Sequence, residues 1–201
     1  MTDLVAKDLA AIYPKPSPRV IAKARPSIDA HARHFIAMSP FCVIATSGSD
    51  ANVDASPRGG NPGFVRVEGP NRLLMPDRPG NNRLDSFRNI VDGSGFVQLI
   101  FFVPGIDETL RVGGRGTLSA APELLAAMEE FGKPPRAVLD IAVHEAYFHC
   151  GKALMRARMW SQDAQVPRSS FPSISQVIHD QTQLGEPEGQ AEVEARNRTQ
   201  L

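Results

Sequence analysis

An excess of charge of either sign is missing from this sequence: 22 lysines and arginines stand against 22 aspartates and glutamates. A neutral chain offers no electrostatic reason to bind nucleic acid or an anionic membrane surface. Cysteine is scarce, with Cys42 and Cys150 the whole complement. Two distant cysteines without a leader read as reduced thiols rather than as a disulfide scaffold. Long hydrophobic runs are missing too, and none reaches the ~18 residues of a membrane span. The start, MTDLVAKDLAA, has no basic region followed by a long apolar stretch, so no secretory signal and a cytoplasmic location are expected. GGRG and GSG do not complete a GxGxxG fingerprint, and neither GxxxxGK[ST] nor GxSxG occurs. Dinucleotide-binding, triphosphatase and serine-hydrolase readings therefore lack support. His144 and His149 lie five apart rather than four, on opposite faces of a strand, and no third ligand pattern accompanies them, so no metal site is expected.

What is present is an ordinary globular composition, 42% hydrophobic and 22% charged. Residues 1–26, rich in Pro, Lys and Arg, read as an extended arm. Ser27 can cap a short helix whose Ile28, Ala32, Phe35 and Ile36 share one face. From Phe41 the period shortens. FCVIATS, VDAS, FVRVEG, RLLMPD, FVQLIFFV, TLRVGGRGTLS and PPRAVLDIAVHEAYFHC read as strands, with PRGGNPGF a loop between the second and third. Helices are expected at 80–93, 121–131, 151–160 and 171–183, and a polar, flexible tail over 185–201. Strands joined by turns point to an α+β, mainly β fold: a six- to seven-stranded antiparallel barrel with short peripheral helices, in one domain over 27–184.

Two segments carry chemistry. In VDASPRGG (53–60) a strand runs into glycines, which lets a flat ligand approach the backbone and fixes Arg58 at the rim. In PDRPGNNRLDS (76–86) a strand end, a Pro-Gly turn and a helix start bring free N–H groups beside Asn81, Asn82 and Arg83. Converging donors plus a guanidinium suit a phosphate. Taken alone, each segment also reads as a solvated turn bearing surface arginines.

The runs ATSGSDANVDASPRGGNPGFV, LLMPDRPGNNRLDSFRNI and FFVPGIDETLRVGGRGTLS, in that order, resemble the pyridoxamine 5'-phosphate oxidase-like family of FMN-binding split barrels. The resemblance spans residues 35 to 160 and is nearest to a branch of uncharacterised FMN-dependent enzymes. It implies a split β-barrel and a homodimer with FMN at the subunit interface. It implies cofactor contacts from Val53, Ser56, Pro57 and Arg58, from Met75 and Asp77, and from Asn81, Asn82 and Arg83 at the phosphate. Thr109 and Arg111 match a strand that the partner subunit contributes. The family's oxidase has two basic residues where this chain has Asn82 and Arg83.

Arg115 matches a later basic residue of the Thr109 strand and is a candidate substrate contact. So are Lys152, Arg156, Arg158 and Trp160, which otherwise form a basic helix face with one packed tryptophan. The terminal motif of the vitamer oxidase is absent, so the resemblance does not extend to vitamer oxidation. The implied activity is hydride transfer between bound FMN and a small molecule or NAD(P)H. Arg58 and the Ser56 backbone would support charge on the reduced ring. The alternatives are a non-catalytic flavin- or haem-binding module on the same barrel, or a purely structural barrel.

Overall fold

The computed structural model describes residues 3–49 and 52–200. Its centre is one antiparallel sheet of seven strands: β1 (Phe41–Ser47), β2 (Val53–Gly59), β3 (Arg66–Val67), β4 (Arg72–Pro76), β5 (Phe96–Val103), β6 (Ile106–Ser119) and β7 (Val138–His149). They lie in the order β2-β1-β5-β6-β7-β4-β3. Four strands separate β2 from β4, yet residues of both line a single cleft, so the sheet curls into a barrel that stays open between its edge strands. This is the expected α+β split barrel.

Alternation builds the core. Cys42 and Ile44 of β1, Val97, Leu99 and Phe101 of β5, and Leu110 and Val112 of β6 are buried at every second position. Burying each of the large side chains contributes about 1.5–3 kcal/mol. Helices pack on the sheet, among them α3 (Ala30–Met38), α4 (Asp85–Asp92) and α5 (Pro122–Ala127). α3 adds Ala32, Phe35 and Ile36 to the core, and α4 adds Phe87 and Ile90. Asp29, not the expected Ser27, caps α3 by accepting the Ala32 N–H at 2.8 Å. The β6–β7 ladder shifts register between Gly113 and Gly114. A Cβ on Gly114 would stand 2.6 Å from the Ala142 carbonyl oxygen, so glycine permits this bulge.

Four local expectations are corrected. β2 runs on through Pro57, Arg58 and Gly59, where a loop was expected; an edge strand tolerates a proline that lacks an N–H. FVRVEG shortens to the two residues of β3. The N-terminal arm holds α1 (Ala6–Ile12) and α2 (Pro18–Ala22), which bury no residue. It is stitched to the barrel at Arg25, which exchanges backbone bonds of 2.9 and 2.8 Å with Ala146. After α6 (Lys152–Ala157) and α7 (Ile174–Thr182), the polar tail forms α8 (Gln190–Arg198). Its single apolar anchor, Val193, is buried, and Arg196 pairs with Glu188 at 2.7 Å. One large apolar residue between two alanines in a polar run gives too weak a periodic signal to announce that helix. Among the described residues, no helix is long and apolar enough to cross a membrane.

Candidate functional site

β2 is an edge strand, and its period of two puts Asp54, Ser56 and Arg58 on one face, opposite Thr46, Ile44 and Cys42 of β1. That face looks toward the start of α4. Arg58 Nη1 donates to Ser56 Oγ and, at 2.8 Å, to the Pro57 carbonyl. Its Nη2 lies 3.5 Å from Ser86 Oγ, and the Ser86 hydroxyl donates to Asp54. The guanidinium sits 5.8 Å from the Phe87 ring centroid, within cation–π reach. Arg58 is thus held in place before any ligand arrives.

The opposite wall begins where β4 ends. Asp77 donates its N–H to the Ala137 carbonyl at 2.8 Å, which fixes the exit of the chain. The loop that follows bends twice through left-handed backbone, at Asn82 (φ 58°) and Leu84 (φ 62°). Asparagine tolerates that region, whereas leucine is strained there. Asn81 Oδ1 accepts the Arg83 N–H at 3.1 Å, and Arg136 donates to Asn82 Oδ1 at 3.2 Å. Leu84 gives α4 no side-chain cap, its first turn carries Asp85, and both residues line the cleft between the two walls.

The two walls enclose a cleft of about 710 Å³. Its lining carries Arg58, Arg78, Arg83 and Arg136 together with Asp54, Asp77 and Asp85, four cations and three anions. Burial pushes the Asp77 carboxyl above the usual carboxylate range, and Arg58, Arg136 and Arg78 only partly offset this. Arg83 is exposed and pairs with Asp85 at 2.7 Å. Beneath Arg58, burial pushes the Cys42 thiol up to about 12.

Of the residues singled out from sequence, Ser56, Pro57, Arg58, Asp77, Asn81, Asn82 and Arg83 line this one cleft. The rest are not brought to it within the chain. Val53 is exposed at the start of β2, and Met75 is buried in the core. Thr109 and Arg111 lie on β6, where Arg111 donates to Gln98 Oε1 at 2.9 Å and flanks the Tyr147 ring. His149, opposite Thr109 in register, has its imidazole pushed down by burial and by nearby Lys23 and Arg111. Arg115 stacks 4.2 Å from the Phe96 centroid, while Lys152 and Arg156 lie on α6. Trp160 donates to the Ile106 carbonyl at 2.9 Å, so its indole is a packed one.

Asp54, Ser86 and Arg136 escaped the sequence reading. Alternation within VDASPR would have placed Asp54 beside Ser56 and Arg58. Arg136 carries no such signal: the β4–β7 pairing, Pro76 opposite Val138, is what brings it to Asn82. Among the described residues, no group of three or more His, Cys, Asp or Glu side chains is disposed to hold a metal ion.

The sequence profile of the pyridoxamine 5'-phosphate oxidase family matches residues 28–150, and the chain belongs to that family. No curated protein matches it. Among solved structures it is similar to HupZ of Group A Streptococcus, at 15% identity over 59% of this chain and 91% of that one, with a TM-score of 0.48. General stress protein 26 of Bacillus anthracis is similar at 11% identity over 59% and 93%, with a TM-score of 0.42. HutZ, the heme storage protein of Vibrio cholerae, is similar at 11% identity over 61% and 93%, also with a TM-score of 0.42.

Proposed function

We propose that the cleft binds FMN and that the protein is an FMN-dependent oxidoreductase acting on a small molecule. The observation that carries this reading is the convergence of two chemically different walls on one cleft. Asn82, Arg83, Arg136 and the uncapped start of α4 offer the N–H and guanidinium donors a phosphate requires. Arg58, pre-set by Ser56, Pro57 and Ser86, offers positive charge along β2. The volume falls within the ~300–1,000 Å³ of small-molecule sites. Bound FMN supplies the hydride chemistry, and the chain's own task is to bind, orient and hold charge beside it. The lining contains no His, Cys, Met or Tyr among the described residues, hence none of the usual axial ligands of haem iron.

The reading includes a homodimer. Phe41 and Val43 of β1, Val53, Ala55 and Pro57 of β2, and Ile100 and Phe102 of β5 share the outward face of the sheet. Ala55 and Pro57 also line the cleft, so the apolar face is continuous with the site. Arg111, opposite Ile100, sits on that face, and a second copy seated there would bring its Thr109 and Arg111 toward the cleft.

An absorbance spectrum of the purified protein, followed by FMN titration and anaerobic addition of NADH or NADPH, tests the proposal. Flavin absorbance that bleaches with a donor is the expected result. Failure to bind added FMN overturns the reading, and bound flavin that no donor reduces leaves a binding module. A Soret band without flavin absorbance points to haem instead.

A further inference from the structure

Residues 128–136 touch both walls of the cleft, and the contact runs through one carboxylate. Met128 is buried against Leu74 and Val138, which anchors the segment. Glu130 and Lys133 then exchange backbone hydrogen bonds of 3.2 and 3.0 Å. The turn they close passes through two left-handed residues, Phe131 (φ 55°) and Gly132 (φ 71°). Glu130 is left with a side chain only 14% exposed.

Its two oxygens go to different walls. Oε1 accepts the N–H of Asn61 at 2.8 Å, on the loop leaving β2 just past Arg58. Oε2 accepts from Arg78 Nη2 at 3.1 Å, on the loop leaving β4 just past Asp77. Arg78 donates onward to the carbonyls of Met128 at 2.9 Å and Lys133 at 3.2 Å. A Cβ on Gly60 would stand 3.0 Å from Glu130 Oε2 and 2.6 Å from Phe64 Cβ, so the loop closes on the carboxylate because it has a glycine there. Both ion-pair partners are largely buried, with Arg78 20% exposed, so solvent screens the pair less than a surface bridge. The sheet itself leaves β2 and β4 four strands apart. Ser86 ties β2 to α4; Glu130 ties loop to loop.

We propose that Glu130 is a positioning residue, clasping the 59–64 loop to the 77–82 loop and thereby setting the separation of the Arg58 wall from the Asn82–Arg83 wall. It also commits Arg78 to the 128–133 segment. The consequence for flavin rests on the function proposed above; the clasp itself does not.

Two measurements on the full chain separate the two. Hydrogen–deuterium exchange, without ligand, compares wild type with Glu130→Ala and Glu130→Gln. In Glu130→Ala, exchange should quicken about tenfold or more in both 59–64 and 77–85, while β5 and β6 keep their wild-type rates. Glu130→Gln retains an acceptor for Asn61 and should restore protection in 59–64 more than in 77–85. Quickening confined to 128–136, or spread equally over the barrel, overturns the clasp. The second measurement is flavin titration by fluorescence quenching. Glu130→Ala should weaken FMN binding about tenfold, with Glu130→Gln between it and wild type. If wild type ignores FMN, the flavin reading fails and the exchange data alone judge the clasp. If wild type binds and Glu130→Ala binds as tightly, Glu130 does not position the site.

Discussion

Arg58 and Arg83 stand on opposite walls of one cleft, and the roles proposed for them separate by ligand. Arg58→Ala should weaken FMN and riboflavin alike, by about 1.5–3 kcal/mol if its bonds are charge-assisted. Arg83→Ala should weaken FMN while leaving riboflavin, which has no phosphate, unaffected. Parallel titrations check both, and equal losses for the two ligands in Arg83→Ala remove it from the phosphate site. Cys42 and Cys150 should differ in reactivity. With its thiol pushed up to about 12 by burial, Cys42 should resist a disulfide reagent until the protein unfolds, while exposed Cys150 reacts in the native state. Asp77 gives a pH signature. Its raised folded-state value means burial penalises the charged form, so its contribution to stability is full below the ordinary carboxylate value. That contribution is lost as pH rises through the raised one. Asp77→Asn should flatten the pH dependence of urea unfolding just above the usual carboxylate range, and an unchanged slope would acquit Asp77.

At the scale of elements, β2 and the β6–β7 bulge show how local chemistry shapes the site. Pro57 and Arg58 read as loop because proline and glycine punctuate that stretch, yet an edge position lets the strand continue and present Asp54, Ser56 and Arg58 in a row. α4 was legible from Leu84, Phe87, Ile90 and Val91 at helical spacing, of which Phe87 and Ile90 are buried and Leu84 and Val91 exposed; its start at Asp85 rather than near Asn81, through a left-handed Leu84, was not, because no residue type there announces it. Gly114→Ala should cost about 1–3 kcal/mol, since the added methyl meets a backbone carbonyl that cannot yield. A thermal melt measures it, and an unchanged transition would show that the bulge relaxes.

For the whole molecule, the outward face of β1, β2 and β5 is where the proposed second copy would pack. Val43 lies opposite Pro57 on one side and Ile100 on the other, so Val43→Glu places a charge amid apolar neighbours. If two copies pack there, sedimentation should show wild type at twice the chain mass and Val43→Glu at once, with an unaltered circular dichroism spectrum. A monomeric wild type would end the dimer proposal. The same scale explains why Thr109 and Arg111, singled out from sequence, do not line the cleft of their own chain: they stand on β6, two strands beyond β1, on the face that would meet a second copy.

Composition and periodicity alone determined the class of fold, since alternating strands broken by turns leave an antiparallel barrel as the economical way to bury their apolar face. They also singled out both candidate segments, whose glycine, asparagine and arginine content is local chemistry. Tertiary structure decided that the two segments face each other, because their strands meet only when the sheet curls. It also decided that Arg136 and Glu130 belong with them. Contacts across a fold depend on strand pairing between distant parts of the chain, and no local pattern of residues encodes that.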